Sequence, residues 1–215
     1  MRPHETDRDG RDARGARTRR ALLAAAKTRF ARDGGRRASV RAVARAARVH
    51  PALVAYHFGG KRALYRAVIE EAMERLRSDV LAAVGGARGP RDAAKRALAA
   101  YHDHLERDPE VPRLIQRGLM EGDPDVLGIV ARSLAPLVEA SRSLPLTTGR
   151  LGAPRDVFLS FFGAAVAPFL YGPLLARLFG EDPLSHAALA RRRQHLEALA
   201  ELSLSAILRR PGRRA

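Results

Sequence analysis

The chain has 215 residues, 46% of them apolar, a formal net charge of +16 and no cysteine. That is enough to bury a core, as one large domain or two small ones, and it excludes a disulfide framework, thiolate chemistry and a cysteine-zinc site. No uninterrupted run of 18 apolar residues occurs, so no membrane span is expected, and the charged first seven residues lack the apolar core of a signal peptide; a cytoplasmic protein is the expectation.

The charge has two readings. Phosphate neutralisation by basic side chains points to a nucleic-acid partner. Yet only Lys27, Lys61 and Lys95 are lysine and alanine is abundant, as in a GC-rich coding sequence where arginine accumulates without function. Position favours the first: residues 1–60 hold 15 basic and 5 acidic groups, residues 61–215 hold 24 and 18. The excess sits at the N-terminus, where a nucleic-acid-binding segment is expected.

Residues 1–16 have almost no apolar content and read as a disordered basic arm, either tracking phosphates or solvated. The first helix is expected over 18–33, with Thr18 as N-cap and Leu22, Leu23, Ala26 and Phe30 at helical spacing, ended by Gly34-Gly35. Ser39 caps a second helix over 40–47, with Val43 and Ala44 inward. After a short turn a third begins at His50, with Pro51 at its first position, where the missing N–H costs nothing; it ends near Phe58. A fourth runs over 61–84. Glycine and proline clusters then separate helices over 92–107, 111–120, 125–144, 155–179 and 185–209. No segment alternates with period two long enough for a convincing strand, and no repeat is visible. Residues 210–215 form a frayed tail.

Three short helices, the last two joined by a tight turn, must share one small core, and their order is that of a helix-turn-helix domain. In that arrangement the third helix lays its first turns in the major groove. The blocks Arg20–Gly34, Ser39–Val49 and Tyr56-His57-Phe58-Gly59-Gly60-Lys61-Arg62-Ala63-Leu64-Tyr65 resemble, in register, the TetR family of regulators. The resemblance covers residues 18–65 closely and implies an all-α protein: an N-terminal three-helix DNA-binding domain (17–65) and a larger C-terminal helical domain (66–209) for dimerisation and ligand sensing.

The resemblance places DNA contacts at Thr18, at Ser39 and Arg41 on the phosphate backbone, at His50, Pro51, Ala52 and Ala55 on the reading helix, and at Lys61 on phosphate. Phe58 is expected in the core against Phe30. Two positions depart from the family pattern. Arg48 replaces a turn glycine, at about 1 kcal/mol in a left-handed conformation, which points to a turn of different shape. Ala55 replaces an aromatic residue, so Tyr56 either supplies the phosphate contact or packs half-buried. The reading helix offers little bidentate hydrogen bonding: alanines can touch a thymine methyl, and His50 or Tyr56 can donate to a base edge.

Beyond residue 90 the resemblance is looser. It implies that the last two helices pair with those of a second copy; Leu196, Leu199, Ala200, Ser203 and Ile207 form an apolar stripe suited to that role or to an internal core face. Tyr101, Leu105, Leu114, Met120, Leu137, Phe158, Phe162 and Phe169 are candidates to line an apolar effector pocket, or to be core. Gly163 and Pro168 suggest a kink. His102 and His104, two apart on a helix, point to different faces and read as a solvated helix rather than a metal site. No cofactor, nucleotide-binding or zinc-protease motif is present. The expected partners are double-stranded operator DNA, a second copy and a small effector, with no membrane. A ligand-blind or architectural DNA-binding protein is the alternative, and a helical enzyme a more distant one, since no acid/base pair or nucleophile constellation is visible.

Overall fold

The computed structural model describes residues 3–142 and 154–208. All regular structure among them is helical: α1 Pro3–Asp33, α2 Val40–Ala46, α3 Ala52–Phe58, α4 Lys61–Gly85, α5 Pro90–Arg107, α6 Val111–Met120, α7 Pro124–Arg142, α8 Pro154–Phe179 and α9 His186–Leu208. The glycine and proline breaks fall where expected. The expected helix ends at 144 and 209, the loop beyond the first and the tail 210–215 lie outside the described residues.

Helix α1 corrects the N-terminal expectation. It runs back to Pro3, so residues 3–16 are helical and Thr18 sits mid-helix instead of capping it. Extending an existing helix avoids the nucleation penalty, and the alanines and arginines here suit it despite Gly10 and Gly15. Nor is this stretch basic: residues 1–16 hold four arginines and four acidic residues. The positive excess of the first 60 residues lies entirely in residues 17–48, which carry eleven basic groups against Asp33 alone.

The chain forms two compact units, Met1–Ala72 with Arg113–Ile129, and Met73–Pro112 with Val130–Ala215. The boundary drawn at residue 65 therefore falls short, and the first unit includes most of α6 and the start of α7. Leu22, Ala26, Phe30, Val43, Ala44, Val54, Leu64 and Ile69 form its buried interior. The ring against Phe30 is Tyr65, edge-on at 5.1 Å, and not Phe58. The Tyr65 hydroxyl donates to the Leu114 carbonyl at 3.2 Å, and burial pushes its phenol up to about 12. Gly118 makes this possible: a Cβ there would lie 2.8 Å from Val126 and 2.9 Å from the Tyr65 hydroxyl. Arg62 and Arg66 reach Asp125 at 2.8 and 3.4 Å, and Arg117 donates to the Arg32 carbonyl at 3.0 Å.

In the second unit α5 packs on α8 and α9. Leu105, Ala165, Phe169, Leu189 and Leu196 make its core. Pro168 has no N–H to give the Ala164 carbonyl four residues earlier, and the Arg192 guanidinium donates to that oxygen at 2.9 Å instead. The break in α8 is at Tyr171 (φ −110°, ψ 17°), two residues before Pro173, and not at Gly163 or Pro168. Proline disfavours helical geometry just before it and removes a ladder bond; Arg192 compensates only the first proline.

Arg155–Phe179 is long and apolar enough to cross a membrane by length and composition alone, with a mean hydropathy of 1.7, but one such helix does not indicate a membrane protein, since a core helix passes the same test. One further expectation changes. His102 and His104 are 1% and 3% exposed, so this part of α5 is no solvated helix. It lies between packing partners, and its two faces are both covered.

Candidate nucleic-acid interface

The interface is built on α2, α3, the turn between them and the start of α4. Ser39 takes the N-cap position of α2 with extended backbone (φ −92°, ψ 131°), and its carbonyl accepts from Val43 N–H at 3.0 Å. Its hydroxyl makes no capping bond, contrary to expectation, and is exposed beside the exposed Arg41. Both therefore retain their hydrogen-bonding capacity for a ligand.

The turn corrects the reading of Arg48. This residue adopts φ +56°, the left-handed conformation that glycine supplies more cheaply. Its N–H donates to the Arg45 carbonyl at 3.1 Å and Val49 N–H to the Ala44 carbonyl at 3.0 Å, so the turn keeps its hydrogen bonds and accepts the strain. Arg48→Gly is expected to stabilise the protein by about 1 kcal/mol, read as a higher urea midpoint at unchanged slope, since the side chain is exposed and no packing is lost.

His50 caps α3 from outside: its Nδ1 accepts the Ala52 N–H at 3.2 Å. Pro51 follows at φ −55°, preset for a helix start. Val54 is buried, while Ala52, Ala55 and Tyr56 face solvent. Tyr56 is 80% exposed, which removes the half-buried packing role. Its ring lies edge-on to His57 at 4.9 Å. Gly59 ends α3 at φ +79°, where a side chain would be strained. Phe58 is half-buried, with the Arg19 guanidinium over its ring at 5.1 Å; nothing in the chain's local pattern signals this α1–α3 contact. Lys61 opens α4, and its ammonium donates to the Arg36 carbonyl at 2.6 Å. That bond ties α4 to the loop before α2 and uses one of three N–H donors.

The first unit thus gathers Ser39, Arg41, His50, Pro51, Ala52, Ala55, Tyr56 and Lys61 on one short stretch of structure; Thr18 is on α1, next to Arg19, whose guanidinium lies over the Phe58 ring. The expected pocket residues separate. Leu114 and Met120 belong to the first unit, Leu114 fully buried and Met120 81% exposed. In the second unit Leu105 and Phe169 are core, Leu137 is half-buried, and Tyr101, Phe162 and Phe158 form a stack of near-parallel rings with centroids 5.7 and 5.8 Å apart. Of the α9 stripe, Leu196 and Ala200 are buried within the unit, Leu199 is 39% exposed and Ser203 half-buried; the side chain of Ile207 lies outside the described residues.

A helix-turn-helix whose reading helix and flanking cations face solvent, on an otherwise all-helical chain, defines a DNA-binding transcriptional regulator. Residues 22–68 match the model of the bacterial regulatory proteins of the tetR family. Among solved structures, SCO4942 of Streptomyces coelicolor, described as a transcriptional regulator, is 28% identical, with 86% of this chain and 97% of that one covered at a TM-score of 0.65. A TetR-family regulator from Rhodococcus sp. is 20% identical over 87% and 98% (TM-score 0.62), and one from Marinobacter aquaeolei VT8 is 18% identical over 91% and 98% (TM-score 0.69). No curated protein matches. Residues 22–68 thus form a DNA-binding domain of the tetR type, on a chain that shares the fold of these transcriptional regulators.

Proposed function

We propose that the protein is a cytoplasmic homodimeric repressor that binds a palindromic operator and is released from it by a small, largely apolar effector. The observation that carries the DNA half is the solvent-facing row His50, Ala52, Ala55 and Tyr56, flanked by Ser39, Arg41 and Lys61. Phosphate contacts from the flanks would fix the register and the α3 row would meet base edges. A dimer matches this because two reading helices about 34 Å apart meet successive major grooves.

Support for dimerisation comes from an apolar face wider than the second unit covers. On α8 Leu159, Tyr171, Leu174, Leu178 and Phe179 are 51–71% exposed, and on α9 Leu199 and Leu202 are 39% and 68% exposed. We assign this face to a second copy, which also accounts for the apolar character of α8 without a membrane. Its α9 component is the row Leu199–Leu202, one step round the helix from the buried Leu196 and Ala200.

For the effector, the partly buried rings of Tyr101, Phe162 and Phe158 are the contact we favour, since an aromatic array accepts a flat apolar molecule. A ligand-blind regulator draws support from the close packing of Leu105 and Phe169. The test is fluorescence anisotropy on DNA from upstream of the protein's own gene against scrambled duplex, over a salt series. Preference for the native duplex at two chains per site, with a steep salt slope, is the expected result; equal binding to both duplexes sinks the operator reading.

A further inference from the structure

We infer that His50 is a specificity-determining residue that donates one hydrogen bond to N7 of a guanine in the major groove. The inference rests on the operator-binding reading above and deepens it. An imidazole nitrogen that accepts a hydrogen bond must carry a lone pair, and Nδ1 accepts the backbone N–H of Ala52 at 3.2 Å. In the neutral ring the proton is then on Nε2. The cap thus fixes the tautomer and turns His50 into a donor with no acceptor to spare.

Little else on α3 can make such a bond. Pro51, Ala52 and Ala55 have no polar side-chain atom, Val54 is buried, and His57 is half-buried between the rings of Tyr56 and Phe58. Polar readout on this helix therefore falls to His50, as a donor, and to Tyr56. In the major groove cytosine presents only an amino donor, and adenine sets its N6 amino donor beside its N7 acceptor, which disfavours an approaching Nε2–H; thymine offers one acceptor beside a methyl, and guanine offers N7 flanked by a second acceptor, O6. A fixed donor selects guanine.

The test is selection from a randomised duplex library followed by affinity measurement on the selected sequence. Wild type should enrich guanine at one pair of positions related by two-fold symmetry. His50→Asn keeps a capping oxygen for the Ala52 N–H but lacks an atom at the place of Nε2. It should fold with an unchanged melting temperature, lose the guanine preference at that pair and keep every other preference. Independently of any variant, wild type on the selected duplex carrying 7-deazaguanine at both positions of the pair should bind about 25-fold more weakly, about fivefold for each of the two hydrogen bonds lost. Selection of the same sequence by His50→Asn overturns the inference, as does an equal loss of affinity on every duplex, which would send the donor to phosphate. Full affinity on the 7-deazaguanine duplex overturns it even if the variant misfolds. If wild type shows no preference among duplexes at all, the operator reading fails first.

Discussion

Leu174→Glu combined with Leu178→Glu is expected to convert the protein to a monomer and to weaken operator binding about a hundredfold or more. Both side chains are over half exposed and lie on one face of α8 with Tyr171 and Phe179. Two copies meeting here would bring four new carboxylates into one desolvated patch, against a cost of several kcal/mol for each unpaired charge. A dimer holds its second reading head at high effective concentration once the first is bound, so losing it forfeits a factor of roughly 10² to 10⁴. Sedimentation gives the mass and anisotropy the affinity. Met120→Glu is the control, since Met120 is 81% exposed and belongs to the first unit instead of to α8 or α9; it should change neither. An unchanged mass in the double variant would remove the dimer from this face.

Acidification is the second large effect. His102 lies within 2.9 Å of a Glu106 carboxylate oxygen, but out of line, and neither ring nitrogen has an aligned partner. His104 on the opposite side of α5 has Nδ1 3.7 Å from Asp79, which is also held by Arg107 at 2.9 Å. Burial lowers both imidazoles below their ordinary value; for His102 Glu106 opposes this and Arg193 reinforces it, while for His104 Asp108 and Asp79 oppose it and Arg107 reinforces it. The folded chain then holds both rings neutral at a pH where the unfolded chain already takes up protons. Stability is full above about pH 6.5, falls as pH drops below it, and levels off only below the depressed folded values. The loss should reach up to about 1 kcal/mol for each histidine between pH 6.5 and 5.5. Urea midpoints measured across that window should fall for wild type and stay level for His102→Leu/His104→Leu. A wild-type midpoint that does not move would mean that the two rings are not held neutral.

How much of this was legible in the sequence varied with the range of the interaction. Helix ends were legible because glycine and proline act locally: Gly34, Gly59 and Pro90 each mark a boundary within a residue or two. The reading head was legible because Tyr56–Tyr65 is a dense local pattern. What depended on distant partners was not. Tyr65 meets Leu114 from 49 residues away, so nothing near either residue announces that α6 joins the first unit. On α9 both the inner row (Leu196, Ala200) and the outer row (Leu199, Leu202) are apolar, and a helix with two apolar faces does not say which one its own chain covers. Arginine in place of glycine at position 48 misled for a different reason: local preference argued for another turn, and the surrounding hydrogen bonds imposed the left-handed one.

The exposure of Tyr56 has a practical consequence. The chain has no tryptophan and four tyrosines. Tyr65 is buried with its phenol pushed up to about 12, and burial raises that of Tyr101 as well. The two that face solvent, at 80% and 51% exposure, are Tyr56 on the reading helix and Tyr171 at the break of α8. A phenol-selective reagent applied at mild pH would mark those two rings first, one on each surface assigned a partner. The protein therefore carries a native chemical reporter for each interface: shielding of Tyr56 by duplex and of Tyr171 by self-association can be followed separately, by peptide mass, without introducing a label.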